Sequence, residues 1–311
     1  METTACDLCG SESATAAITS QDFLLQRREV TAEFVKCDRC GLVYQNPRPT
    51  QEEMHNHYPS DYESYTLHPE DSGSSWLLRK AIQYGLSKRR RLVSQNKGSG
   101  RILDVGCATG VFLREMHQDS HWDAYGVEPN GYAARIARER YGLNVFHGTL
   151  EQASFENRYF DVVTLWDVLE HLHSPSEALA EIHRILKADG LLILRVPNGL
   201  SRDAQLFGKA WAGLDPPRHL YVFTPDTLRE LLTENHYSIR ELGCQSGGYP
   251  TFVLSLRFWL TSTGSNKRLT SILTKLLYHP VMRLMTSPLF YARGLALRGP
   301  LITAVTTKHG D

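Results

Sequence analysis

Neither sign of charge is in excess in this chain: 34 basic and 34 acidic side chains among 311 residues give a formal net charge of zero. No overall field is left to concentrate polyanions, and no nucleic-acid partner is expected. No uninterrupted apolar run approaches the roughly 20 residues that span a bilayer. The amino terminus lacks the basic stretch followed by an apolar one that marks a secretory signal, so the expected location is cytoplasmic. Gly-Lys-Ser/Thr is missing, which excludes a P-loop. Acid is missing locally too: between Gly243 and Gly310 there is no Asp or Glu, whereas Arg257, Lys267, Arg268, Lys275, Arg283, Arg293, Arg298 and Lys308 are basic. Cysteine is scarce, with six in all. In a cytoplasmic chain so few point to metal or buried thiols before disulfides.

What is present centres on Arg101 to Gly110, RILDVGCATG. Ile102, Leu103 and Val105 favour a strand, Gly106 and Gly110 permit a tight turn, and Val111 to Met116 resumes at helical spacing. A ligand would sit where that helix begins. A dinucleotide fingerprint needs a third glycine, which would fall on Val111, and a bare middle position, which Ala108 holds. The next apolar run, Trp122 to Val127, ends in Glu128 and Pro129, about 20 residues after the turn, where nucleoside-binding sheets put a carboxylate on the ribose. From Gly100 strands and helices alternate, as in a parallel sheet covered on both faces. Strands are expected near 101–105, 122–127, 143–146, 160–165 and 190–196, and helices near 110–118, 130–141 and 175–187. Asn130 and Gly142 cap and stop the second helix, and Ser174-Pro175 opens the third. A further helix from Thr224-Pro225 and a strand at 237–242 follow, and Pro300 to Thr306 is the candidate for a last strand.

These residues resemble motif I and the following strands of class I S-adenosylmethionine-dependent methyltransferases, with Ala108 replacing the central glycine. The runs Phe160 to Asp167, Val168-Leu-Glu-His171 and Leu186 to Leu194 resemble the family's fourth and fifth strands. The resemblance implies an α/β Rossmann-like sheet, mostly parallel with its last strand antiparallel, and S-adenosylmethionine as co-substrate. It also implies that the turn Gly106, Cys107, Ala108 and Gly110 borders the methionine part and that Asp104 steadies its amino group. Glu128, followed by Pro129, would hold the ribose, Thr149 and Leu150 would edge the adenine, and Asp167 would lie near the methionine end.

Four cysteines are paired by spacing, Cys6-Asp-Leu-Cys9-Gly10 and Cys37-Asp-Arg-Cys40-Gly41. Two such knuckles make a tetrahedral, structural zinc site with no open position. Residues 1–46 are read as a zinc ribbon, closed by Asn46-Pro-Arg-Pro49. Class I methyltransferases with an N-terminal ribbon, of the bacterial sugar and natural-product type, resemble this stretch through Tyr44 and the Asn-Pro-Arg-Pro run. Residues 47–98 form a helical connector rich in His and Tyr (His55, His57, Tyr58, Tyr62, Tyr65, His68), either packed over a cleft mouth or acting as a lid.

Residues 99–247 with 299–311 make the methyltransferase domain, and 248–298 an insertion. Within that insertion Leu269, Ile272, Leu273, Leu276 and Leu277 follow helical spacing. A basic amphipathic segment of this kind lies on an anionic membrane surface, or its apolar face covers the domain or a second copy of the chain. The loop Trp211 to Tyr221 carries Arg218 and His219. A hydroxyl acceptor needs a base, so His219 is the candidate, as in the ribbon-bearing sugar methyltransferases that carry a catalytic histidine in the corresponding loop. Arg218 is read as a binder of an acceptor phosphate or carboxylate. The expected acceptor is a sugar, a lipid-linked glycan or a quinone-like molecule. Carbon methylation of a nucleotide-sugar is the alternative, and a zinc-ribbon binding module on a silent scaffold the non-enzymatic one.

Overall fold

A computed structural model of the protein describes residues 1–59, 76–244, 248–278 and 297–309, together with 282, 285 and 286. Tyr62, Tyr65 and His68 of the connector and Arg283 and Arg293 of the insertion lie outside the described residues. The amino-terminal unit is a hairpin, β1 (Ala14–Asp22) and β2 (Arg27–Cys37), followed by the short β3 (Val43–Gln45) and the capped turn α1 (Gln51–Met54). Then come α2 (Trp76–Asn96), β4 (Gly100–Val105), α3 (Val111–His117), β5 (Trp122–Glu128), α4 (Gly131–Tyr141), β6 (Asn144–His147) and β7 (Phe160–Trp166). They are followed by α5 (Pro175–Ile185), β8 (Leu186–Pro197), α6 (Arg202–Phe207), β9 (Tyr221–Val222), α7 (Pro225–Glu234) and β10 (Tyr237–Gly243). Two helices, α8 (Gly248–Ser262) and α9 (Lys267–Leu277), precede the last strand, β11 (Leu301–Lys308).

Seven strands make the main sheet in the order β10-β11-β8-β7-β4-β5-β6. The pairs from β8 to β6 are parallel, and β11 runs antiparallel to both β8 and β10. Alternation along the strands feeds two cores, because successive side chains leave a strand on opposite faces. Ile102, Val162, Leu191 and Ile193 pack with Phe112, Leu113, Ala134 and Ala137 of α3 and α4. Leu103, Val163, Leu192 and Leu194 pack instead with Leu179 and Ile182 of α5 and Leu228 and Leu231 of α7. With both faces covered, β7 is buried at every position.

The ribbon is less separate than its boundaries suggest. Its sheet has the order β1-β2-β3-β9, so its fourth strand comes from the loop after β8 of the main sheet. The first helix of the insertion packs on the same assembly: Phe258 of α8 stacks on Phe23 at 5.6 Å, and Phe252 meets Phe207 edge-on at 5.4 Å. Ser255 Oγ accepts the Ala212 amide at 2.9 Å. Ribbon, loop and α8 therefore share one small core, built around Phe34, Trp211 and Val222. α8 thus packs its Phe252, Ser255 and Phe258 against this assembly.

Candidate active site

The turn after β4 has the geometry its glycines allow. Gly106 and Gly110 have φ of 67° and 78°, and a Cβ on them would come within 2.7 Å of Val168 and 2.5 Å of Leu143. Between them Ala108 also sits at positive φ, 48°, a conformation costing on the order of 1–2 kcal/mol for an L-residue. Its amide is fixed in return: Glu128 Oε2 accepts the Ala108 N–H at 2.8 Å, while Oε1 accepts that of Asn130 at 2.8 Å. Burial pushes the Glu128 carboxyl up, against the pull of those two amides. Each oxygen keeps a second lone pair for a hydroxyl donor, so the donor set at the end of β5 fits the vicinal hydroxyls of a ribose. Cys107 and Leu150 are buried, which leaves their backbones as what a ligand could meet, and Thr149 is half-buried beside them. Pro129 is exposed at the rim.

Asp104 points sideways into the sheet, where Thr164 Oγ1 donates to its Oδ1 at 2.6 Å. Burial holds its carboxyl up at about 7, against that bond and the charge of Arg89. Asp167 follows β7 with φ of 61°. It is gripped by Arg195, whose Nε donates to Oδ1 at 2.9 Å and whose Nη2 donates to Oδ2, and Arg89 stands 3.5 Å away. Burial would raise this acid, but the two arginines outweigh it and hold it below the usual carboxylate range. Its side chain still keeps 34% of its surface, so a ligand can reach it.

Beyond Asp167 the chain makes a short 3-10 turn, Leu169–His171, and the loop after β8 lies against it. Leu220 donates its amide to Glu170 O at 2.7 Å and accepts that of Gln45 at 2.8 Å, so His219 is held between the turn and the ribbon. His219 Nδ1 lies 2.9 Å from Gly213 O. A carbonyl only accepts, so Nδ1 carries the proton and Nε2 presents its lone pair. His171 is fixed in the same sense by Arg218 O at 3.0 Å, with Tyr58 Oη also 3.0 Å from its Nδ1. The two rings meet edge-on with centroids 4.5 Å apart. Burial keeps both imidazoles neutral, lowering His219 below its ordinary value and His171 to about 3. Glu170 is fully buried beside them, and neither of its oxygens has a hydrogen-bond partner among the described residues. Its carboxyl is raised, first by burial and then by the charge of Asp167. Ligand atoms of Glu170, His171 and His219 lie within 4.8 Å of one another, close enough to share a proton or a cation.

Arg218 has to be reassigned. Its guanidinium is fully buried, donating from Nε and Nη2 to Asp215 at 2.9 and 2.7 Å and from Nη1 and Nη2 to Asp22 at 3.1 and 2.8 Å. Two carboxylates already take up its fork, so it fastens the end of β1 to the loop and is not a binder of acceptor anions. The expected residues otherwise gather at the carboxyl ends of β4, β5, β6, β7 and β8, as open α/β sheets place their ligands. A surface hollow of about 490 Å³ lies at the other end of the sheet, lined by Gly100, Arg101, Trp122 and Asp161, and takes no part. Arg195 had no pattern of its own in the sequence, Arg89 stood only within the basic run Lys88-Arg-Arg-Arg91, and Glu170 only beside His171. Tyr58 and His171 were visible only as members of an aromatic connector and a Glu-His pair.

At the amino terminus the four cysteine sulfurs lie within 4.8 Å of one another, with Cys6 to Cys40 and Cys9 to Cys37 both 3.5 Å. Four thiolates around a zinc at about 2.3 Å have edges of about 3.8 Å, so the set fits the ion after small adjustments. The knuckle amides favour thiolate at Cys37: burial pushes it up, but the amides of Cys40 and Arg39 and the neighbouring thiols bring it down to about 6. Cys6 is raised, chiefly by burial.

Comparison with known proteins bears on the family and the fold. The chain is 32% identical over 149 residues to the ubiquinone biosynthesis O-methyltransferase of Roseobacter denitrificans, a match covering 43% of this chain and 58% of that protein. It is 30% identical over 151 residues to the same-named protein of Maricaulis maris, covering 45% and 59%. It thus spans less than two thirds of either relative. Among solved structures the [4+2]-cyclase SpnF superposes with a TM-score of 0.52 at 17% identity, covering 85% of this chain and 99% of that one, which speaks for the fold alone. A cyclase on this fold also shows why the reaction must be argued from the site. The family described as Methyltransferase domain matches residues 78–242, more than half of the chain, from within α2 to within β10, and the protein belongs to it.

Proposed function

We propose that the protein transfers a methyl group from S-adenosylmethionine to a hydroxyl of a small molecule, with His219 as the base. When bound, the co-substrate supplies an electrophilic methyl on a sulfonium. This chain's part is to align the acceptor oxygen with it and to take the proton. Glu128 holds the ribose through its remaining lone pairs, and the turn from Gly106 to Gly110 borders the methionine part. Asp167, fixed by Arg195 and Arg89, faces the same end of the cleft. The acceptor hydroxyl donates to His219 Nε2; as the carbon–oxygen bond forms and the carbon–sulfur bond breaks, the proton passes to that nitrogen. The products are the methyl ether and S-adenosylhomocysteine.

The observation that carries this is the bond from His219 Nδ1 to Gly213 O, which leaves a buried, neutral imidazole with its basic nitrogen unengaged by that contact. The two curated relatives are named as O-methyltransferases, which favours oxygen as the methylated atom. Their names refer to ubiquinone biosynthesis, which favours a quinone-like acceptor over a sugar. With Arg218 withdrawn into its clasp, a phosphate-bearing acceptor loses the cation first assigned to it. The four cysteines hold a structural zinc in this reading.

His219→Gln should leave stabilisation by S-adenosylhomocysteine intact and slow transfer of labelled methyl to an extracted acceptor by about a hundredfold or more. An unchanged rate removes His219 from the mechanism. The acid limb of the pH–rate profile should lie below the ordinary histidine value of about 6.5, because burial lowers the folded pKa and the base stays neutral further into acid. A rate abolished by a chelator while metal analysis shows the cysteine-bound zinc retained, and restored by a divalent ion, would instead assign Glu170, His171 and His219 to a cation.

A further inference from the structure

The second helix of the insertion faces the wrong way for a helix that only covers a core. In α9 the threonines Thr270 and Thr274 are turned inward, each 8% exposed, while Leu269, Ile272 and Leu276 stand out at 64%, 64% and 56%. At 100° per residue these three fall on a single stripe. Arg268 and Lys275, both exposed, run along one edge of it. Tyr278, at the end of the helix, is 53% exposed. The helix is fixed at both ends: Asn266 caps its start through the amides of Arg268 and Leu269, and Tyr249 Oη of α8 donates to Leu277 O at 2.5 Å. The outward direction of the stripe is therefore set by the fold.

We propose that this face of α9 docks on an anionic lipid bilayer. An apolar stripe edged by long cationic side chains suits the boundary between acyl chains and headgroups, where the stems of Arg and Lys lie along the apolar layer and their charges reach lipid phosphates. Charge selects the occupant. From Cys244 to Gly310 the sequence has no acid at all, so nothing on this segment would oppose the negative surface potential. The same composition disfavours a second copy, because a two-fold contact sets the patch against itself and would bring like charges together without a counter-charge. Among the described residues no helix is long and apolar enough to cross a membrane, so the attachment lies in the plane of the interface. The proposal does not depend on the acceptor, and it can fail or hold whatever His219 does.

The test is co-sedimentation of the full chain with vesicles of phosphatidylcholine alone and of phosphatidylcholine mixed with phosphatidylglycerol. Binding is expected to the mixed vesicles only, and to weaken as salt is raised. The triple variant Leu269→Ser, Ile272→Ser, Leu276→Ser should bind on the order of a hundredfold more weakly or less, with an unchanged melting temperature, since the three side chains are exposed. The charge variant Arg268→Glu, Lys275→Glu should lose the preference for phosphatidylglycerol without altering the apolar stripe. Equal binding to both vesicle types, no binding to either, or binding that both variants retain would overturn the proposal. A concentration-dependent dimer abolished by the triple variant, with no vesicle binding, would overturn it in favour of a second copy.

Discussion

At the scale of single residues, the site is an arrangement of buried ionisable groups whose charge states are set by what lies next to them. Asp167 and Asp104 show the contrast. Asp167 stays ionised in its arginine grip, whereas Asp104 has one hydroxyl and a distant guanidinium, and burial raises it to about 7. For an acid whose folded pKa exceeds its unfolded one, the native state holds the proton more tightly. The associated stability is fully present below the unfolded value of about 3.9 and is lost as pH rises through the folded one. Asp104→Asn cannot ionise and can still accept from Thr164. Its melting temperature relative to the wild type should therefore climb between about pH 4 and pH 8, and parallel melting curves across that range would contradict the assignment. Arg218 shows the opposite case, a charge whose surroundings were hidden from the sequence. Its position beside His219 suggested a ligand-binding cation, but Asp215, three residues before it, and Asp22, 196 residues away, together neutralise it. No local pattern announces a partner at that separation.

At the scale of elements, the order of strands and helices was legible because each carries its own signal: a short apolar or β-branched run, a cap, a stop. Asn130 does cap α4 through the Ala133 amide, and Gly142 ends it in the left-handed conformation. The last strand, expected over Pro300 to Thr306 from its β-branched residues and antiparallel by the resemblance, lies at 301–308. The exceptions are ends completed from elsewhere. Ser174-Pro175 opens α5 as expected, yet the Ser174 side chain makes no capping bond. Asp7, between the first two zinc-knuckle cysteines, accepts the Ser176 amide at 3.0 Å and its hydroxyl at 2.8 Å. The two-residue β9 likewise exists only because β3 is there to pair with it. Spacing cannot reveal such ends, since the satisfying group belongs to another part of the chain. Asp7→Ala should cost about 1 kcal/mol, the usual worth of an N-cap, whereas Asp7→Asn, which keeps an acceptor, should cost less. A thermal melt of the two variants ranks them, and equal losses would mean that the charge of Asp7, not its acceptor, matters.

At the scale of the whole molecule, the amino-terminal sheet supports the loop that carries His219. Cys37 ends β2, Gln45 of β3 donates its amide to Leu220, and Tyr44 pairs with Tyr221, so the backbone on one side of His219 is laid down by the ribbon. Asp22 holds Arg218 on the other side. A histidine is a useful base only if its basic nitrogen is held within hydrogen-bond reach of the acceptor, and a shift of about 1 Å can cost a hundredfold in rate. Structural zinc contributes its binding free energy directly to the fold of the unit it closes. Removing it should therefore loosen β3 and β9 and, through them, the loop, while the turn at Gly106 and the carboxylate of Glu128 remain on the main sheet. Metal analysis of the gently purified protein should give one zinc per chain, and Cys37→Ser should lower that content. The same variant should depress methyl transfer far more than stabilisation by S-adenosylhomocysteine. Equal loss of both would mean that the ribbon supports the domain as a whole, and full activity without zinc would break the connection drawn from the cysteines to His219.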